Sequence, residues 1–333
     1  MRGPFLGADV DEIVEVVASS WDLRLTDVTY VPEGAGAYHW SARDDDGGRW
    51  FLSVDDLDTK PWLGDDRATT FTGLLAAYGA AGDLRAAGLR FVAAPTPSVA
   101  GAGAVRLDDQ HTVALSAFLD GTSGTWGTPP DDATAAELVD HLADLHAATA
   151  AVRPLGTRTL DVPGRVGLEA AMSTLEEPWT DGPHGERGRE LLAAHVALVG
   201  EWFAVLDSVR ARSGADRLVV THGEPHPGNL FRTDGGLVLL DWDTVAMATP
   251  ERDLWMLALV EPEAIERYRA RTGVALDPVV LRAHRLEWAL SDLVAYTRVL
   301  RHPHGDGPDA RRAIGAVESI LGGGEPAPFG PLA

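Results

Sequence analysis

The hydrophobic pattern of the chain changes period at two places. Over 9–19, Val10, Ile13, Val16 and Val17 recur at helical spacing and predict an amphipathic helix. Residues 27–31, 37–42 and 49–54 then read as strands. The first two flank Pro32-Glu33-Gly34-Ala35-Gly36, and Asp44-Asp45-Asp46-Gly47-Gly48 is a strong turn into the third. An Ala-rich helix over 68–87 stops at Gly88, with 89–94 and 112–118 following as strands. Past Asp120-Gly121-Thr122-Ser123-Gly124 the period becomes helical, over 132–148, 166–175, 187–211, 262–271, 278–300 and 309–321. One short β region interrupts it, 218–221 and 237–241, split by a loop rich in His, Pro and Gly. The predicted class is α+β in two lobes: a small antiparallel-sheet lobe over 1–117 and a larger, mainly helical lobe over 118–333. No internal repeat is found, and the Gly/Pro-rich tail from Gly322 is expected to be mobile.

Composition narrows the chemistry by exclusion. Among 333 residues there is no cysteine, so disulfides, thiolate nucleophiles and cysteine-held metal centres are ruled out. The formal charge of −22, with no basic stripe, argues against a nucleic-acid partner and favours a neutral or cationic one. The first residues lack a secretory pattern, and no stretch reads as a membrane span, so a cytoplasmic protein with no membrane partner is expected. Of 28 basic residues only Lys60 is lysine.

The chemistry concentrates in Thr221-His222-Gly223-Glu224-Pro225-His226-Pro227-Gly228-Asn229, followed by the strand that delivers Asp241. Phosphoryl transfer from a nucleotide needs a carboxylate to take the proton of the attacking hydroxyl. It also needs an amide and a carboxylate to hold Mg²⁺ on the phosphates, and a cation against their charge. In protein kinases four residues separate the base from the metal-binding Asn, and a second strand presents the metal-binding Asp. Glu224, Asn229 and Asp241 reproduce that order and spacing.

At these residues the sequence resembles the aminoglycoside phosphotransferase and choline-kinase superfamily, which has a protein-kinase-like bilobal fold. The likeness extends to Asp241-Trp242-Asp243, to Glu251-Arg252-Asp253-Leu254 and to Leu145-His146-Ala147-Ala148-Thr149, and in texture it is nearest to spectinomycin-type antibiotic kinases. The resemblance implies a small-molecule O-phosphotransferase using ATP or GTP, with Mg²⁺. Glu224 would be the catalytic base, His222 the loop-organising residue beside it, Asn229 and Asp241 the Mg²⁺ ligands, and Asp253 a structural acid. Asp243 reads equally as a supporting acid or a helix-type cap. His226 reads as a phosphate or substrate contact, or as a packed loop residue.

Two positions depart from the family. Its base is normally Asp, and Glu224 is one methylene longer. The lysine expected on the strand 49–54 is replaced by Ser53, and no Glu occurs between Asp55 and Gly88 to pair with one. Lys60, just beyond that strand, is the candidate replacement for phosphate binding, its other reading being a solvated loop residue. Gly34 and Gly36 are placed over the phosphates, with a plain hairpin turn as the alternative, and Phe118 lies in the expected hinge that reads the nucleotide base. For the acceptor the resemblance implies an aminoglycoside-like antibiotic or other small hydroxyl compound, with Trp126, Trp288, Asp292, Asp243 and His226 as candidate contacts. A monomer or homodimer is expected. The rival reading is a catalytically impaired kinase fold acting as a binding or regulatory protein. A serine hydrolase finds no support, because no strand–Gly-x-Ser-x-Gly–helix elbow occurs.

Overall fold

Strand pleat and helix spacing build the first lobe much as the pattern requires. The computed structural model describes residues 5, 7, 9–34, 36–212 and 217–322; Ala35 and the tail beyond Gly322 lie outside them. Helix α1 (Val10–Trp21) opens with Glu12 reaching back to the Asp9 amide at 3.2 Å. Then come β1 (Leu25–Val31), β2 (Ala37–Asp44), β3 (Arg49–Asp56), α2 (Arg67–Ala86), β4 (Val105–Arg106) and β5 (His111–Ala117). These strands form one antiparallel sheet in the order β1-β2-β3-β5-β4. Its register sets Ser53 opposite His39 and Asp55 opposite Ala37.

Alternation along β3 decides what each face does. Leu52 and Val54, both fully buried, pack with Ile13, Val17 and Trp21 of α1, a burial that contributes about 1.5–3 kcal/mol per side chain. Ser53 and Asp55 point to the other face. There Leu57, Leu74, Tyr78, Ala104 and Ala114 form a second apolar cluster. Helix α2 begins at the Asp66 cap, whose carboxylate accepts the amides of Ala68 and Thr69 at 2.9 and 2.8 Å.

The run 89–94 is not a strand of this sheet. Only Val92 forms an isolated parallel bridge, to Leu239, because Pro95 follows and the segment turns away to meet a later strand.

The later elements are β6 (Thr122–Ser123), α3 (Asp132–Ala147), α4 (Arg165–Ser173), α5 (Gly185–Arg210), β7 (Val219–Thr221), β8 (Leu230–Thr233), β9 (Gly236–Leu239), β10 (Ala246–Ala248), α6 (Glu251–Val260), α7 (Pro262–Thr272), α8 (Pro278–Arg301) and α9 (Pro308–Leu321). Strands β6, β8 and β9 form one small sheet, and β7 and β10 another. The chain divides into two compact units. One comprises 1–124, 144–157 and 220–247; the other comprises 125–143, 158–219 and 248–333. The chain therefore returns twice to the first unit, where the sequence pattern predicts a single division at 117/118.

In the second unit α4, α5, α8 and α9 enclose one core, with Leu168, Leu192, Phe203, Leu290 and Leu293 at its centre. Contrary to the sequence expectation, α5 contains an 18-residue stretch of mean hydropathy 1.4, long and apolar enough by composition to cross a membrane. Its buried residues, including Val199, Leu206 and Val209, belong to that core, while Val196 and Val205 are exposed.

Candidate active site

The loop after β7 is organised by one histidine. His222 is fully buried; its Nε2 donates to the Leu240 carbonyl at 2.8 Å, while its Nδ1 accepts the Glu224 amide at 3.2 Å. One nitrogen must donate and the other accept, so the ring is the neutral Nε2–H tautomer. Its carbonyl accepts the Thr244 hydroxyl at 2.8 Å, and its ring meets the Trp242 indole edge-on with centroids 4.6 Å apart. Gly223 turns the chain at a φ of 99°, which glycine adopts without strain. Both ring nitrogens of His222 are thus engaged by backbone groups of its own loop and of the strand end before Asp241.

Glu224 is half-buried, and its carbonyl accepts from Asn229 Nδ2 at 2.9 Å. Asn229 Nδ2 also lies 3.4 Å from His226 Nε2. Both contacts spend the amide nitrogen, so the Asn229 Oδ1 is turned the other way and meets no donor among the described residues. The Leu240 amide bonds the Asn229 carbonyl at 3.0 Å, which brings the next residue, Asp241, alongside.

Asp241 adopts a φ of 62°, a left-handed conformation unusual for a non-glycine residue and a frequent sign of a functional position. Trp242 behind it is buried and bonds the Leu239 carbonyl at 2.8 Å. No hydrogen-bond donor meets the Asp241 carboxylate among the described residues. It keeps solvent-accessible surface, yet dense protein surrounds it. Lost water, then the charges of Asp243, Glu224 and Asp55, push its carboxyl well above the ordinary range, while Lys60 opposes them.

Lys60 is not a solvated loop residue. It is 3% exposed; its Nζ bridges Asp55 Oδ1 at 3.0 Å and a short contact to Asp243 Oδ2. Burial works against the ammonium, but Asp243, Asp55 and Asp241 override it and hold the charge well above the usual lysine range. Asp243 is thus the buried partner of Lys60 and caps no helix. On the far side of Asp55, the Tyr78 hydroxyl donates to Oδ2 at 3.0 Å. Burial, then Asp55, raises the Tyr78 phenol well above its ordinary value.

Ser53 stands where the strand lysine is absent. Its hydroxyl lies 3.1 Å from His39 Nδ1, and burial lowers His39 to about 4, so the pair is neutral near pH 7. Gly34 has a φ of 83°, and a Cβ there would meet His39 Nε2 at 2.9 Å; Gly36, at 81°, offers its carbonyl to Thr59 Oγ1 at 3.4 Å, next to Lys60. Phe118 follows β5 beneath the Arg49 guanidinium, 4.0 Å from ring centroid to cation. Thr149 of the Leu-His segment accepts the Val220 amide at 3.0 Å and so anchors the strand entering the loop.

The second unit holds the remaining candidates. Trp126 stacks on Trp288 at 6.1 Å and 21°, and Trp255 packs on the same ring at 5.9 Å. One helical turn after Trp288, Asp292 is raised to about 7 by burial, against the Arg312 charge and a hydrogen bond from Trp288. Asp253 is buried in the first turn of α6. The sequence reading left out Asp55, Tyr78 and His39. The signal available for Asp55 was a carboxylate at an inward strand position five residues before the only lysine.

No curated protein sequence matches the chain. Among solved structures, spectinomycin phosphotransferase bound to ADP and spectinomycin superposes with a TM-score of 0.72 at 13% identity, covering 95% of this chain and 98% of that one. An amicoumacin kinase gives 0.62 at 13% identity, covering 97% and 96% of the two chains. The choline kinase of Streptococcus pneumoniae gives 0.56 at 15%, covering 94% and 98%. These likenesses establish the kinase-like fold. Residues 27–284, from the first strand to the buried His284, match the profile of the phosphotransferase enzyme family, and the chain belongs to that family.

Proposed function

We propose that the protein transfers the terminal phosphate of ATP or GTP to a hydroxyl of a small acceptor, an aminoglycoside-like or related antibiotic. The observation that carries this reading is the pairing of Asp241, held left-handed with an unbonded carboxylate, and Asn229, whose Oδ1 is turned away from its own loop. These are hard oxygen donors, and Mg²⁺ takes one or two carboxylates together with substrate phosphates. When bound, Mg²⁺ supplies charge neutralisation on the phosphates. Glu224 takes the proton of the attacking hydroxyl, His222 fixes the loop that carries Glu224, and Lys60 presents its charge to the phosphates. Gly34 and Gly36 let the backbone approach them, and Phe118 stands near the nucleotide base.

The test is nucleotide consumption with a panel of hydroxylated acceptors, ATP and GTP assayed separately and products detected by mass. Glu224→Gln is expected to retain nucleotide binding and lose about 10²–10⁴-fold in turnover. Burial of Lys60 between two carboxylates favours a second reading, a kinase fold that binds nucleotide without turnover. That outcome across a broad acceptor panel, with Mg²⁺ present, would sink the enzyme reading.

Trp126, Trp288 and Asp292 support an acceptor site in the second unit, with Asp243 and His226 near the transferred phosphate. For an amine-bearing acceptor, Asp292 is protonated below about 7 and charged above it. Its KM should therefore fall as pH rises through 7, and Asp292→Asn should flatten that profile. An acceptor KM with the same pH slope in both proteins excludes Asp292 from recognition.

A further inference from the structure

We propose that Asp55 and Tyr78 are positioning residues that hold the Lys60 ammonium charged and fixed, with its remaining N–H directed at the nucleotide phosphates. The phosphate half rests on the phosphotransferase reading above; the brace rests on the contacts around Lys60.

A buried ammonium is costly unless it is paired, and a buried carboxylate is costly unless both oxygens are satisfied. Asp55, 1% exposed, meets both conditions: Oδ1 takes Lys60 at 3.0 Å and Oδ2 takes the Tyr78 hydroxyl at 3.0 Å. Each oxygen has one donor, so the carboxylate cannot rotate without losing a bond. Lys60 has three N–H donors; Asp55 and Asp243 engage two, and the third meets no polar acceptor among the described residues, the Trp62 ring lying 5.5 Å from Nζ.

The helix behind this network has no glutamate, and its one carboxylate, Asp83, is spent on Arg153 at 2.7 Å. The anchoring parts have moved accordingly. The carboxylate comes from β3, the cation from the short turn after it, and α2 contributes a phenol, locked in place by Leu57, Leu74, Ala104 and Ala114. Tyr78 thus couples the position of α2 to that of the phosphate-binding charge.

Because Lys60 is the only lysine in the chain, lysine labelled with ¹³C at Cε yields a single side-chain signal. In the wild type it should stay in the charged form to at least about pH 11. In Asp55→Asn its midpoint should fall by about one to two pH units, since burial is then opposed by Asp243 and Asp241 alone. The alkaline limb of kcat/KM should move down with it. KM for ATP and Kd for ADP should rise about tenfold or more, adenosine binding should not change, and kcat should change least. Tyr78→Phe, which keeps the ring, should move each quantity in the same direction by a smaller amount, and it carries the test where Asp55→Asn fails to fold. An unchanged lysine titration and unchanged ADP affinity in both variants overturn the proposal. A wild type that binds no nucleotide removes the phosphate half and the functional reading with it, while the titration still decides the brace.

Discussion

Asp241→Asn is expected to lower turnover by about 10²–10³-fold while leaving the protein as stable as the wild type, or more stable. The two halves of this result have one origin. Among the described residues the carboxylate accepts no hydrogen bond, and lost water, then Asp243, Glu224 and Asp55, disfavour its charge against the pull of Lys60. Its folded pKa lies above the unfolded value, so keeping it ionised costs stability increasingly as pH rises above 4. Asparagine removes that cost and is, with aspartate, among the residues that best tolerate a positive φ. What it loses is the anionic oxygen for Mg²⁺, leaving only neutral amide oxygens at positions 229 and 241. The apparent Mg²⁺ requirement should therefore climb, while nucleotide binding measured without metal should hold. Melting temperature against pH for both proteins, beside Mg²⁺ titrations of turnover, checks this. A marked fall in melting temperature at pH 8 would show that Asp241 is structural, and an unchanged Mg²⁺ dependence would remove it from the metal site.

Much of this site was legible because its parts are close in sequence. Glu224, Asn229 and Asp241 lie on one strand–loop–strand unit, where spacing alone carries the geometry. Gly34 and Gly36 sit in a turn whose composition announces a left-handed backbone. The partners of Lys60 were not legible in the same way. Asp243 lies 183 positions away, and nothing local to either residue records the contact. Asp55 was obscured because a carboxylate at the end of an alternating strand reads as surface. Its burial depends on Tyr78, placed by a helix whose Ala-rich sequence says little about orientation. At 89–94 an apolar run resembled a strand, though its only bridge is to β9, a strand about 150 residues later. Helix α6 escaped notice because it starts at Pro250 with no side-chain cap and with acidic residues that read as a motif. At His222 the sequence is locally informative, since a histidine followed by glycine in a tight loop has backbone groups within reach of both ring nitrogens.

Lys60→Met should have the largest effect on stability, because it leaves Asp55 and Asp243 buried without their shared cation. Breaking one partner of a buried pair costs about 3–5 kcal/mol, here a fall in melting temperature on the order of 10 °C at neutral pH. The pH dependence supplies the sharper test. In the wild type the Lys60 pKa is raised above its unfolded value, so its stabilisation is fully present below that value and is lost only as pH rises through the folded one. Between pH 5 and 9 this contribution is flat. In Lys60→Met two buried carboxylates are left without their cation, so the variant should be nearest to wild type in acid and fall further behind it toward pH 8. Adding Asp55→Asn and Asp243→Asn to Lys60→Met removes every charge of the cluster together and should recover most of the neutral-pH loss, because an uncharged cluster has little to desolvate. That recovery should bring back stability without nucleotide affinity, since the cation facing the phosphates is still missing. Melting curves from pH 4 to 9 for the three proteins, with ADP binding measured on each, decide the matter. Parallel curves with an unshifted midpoint would mean that the cluster contributes no net electrostatic stability, and full ADP affinity in the triple variant would mean that the phosphates never depended on this lysine.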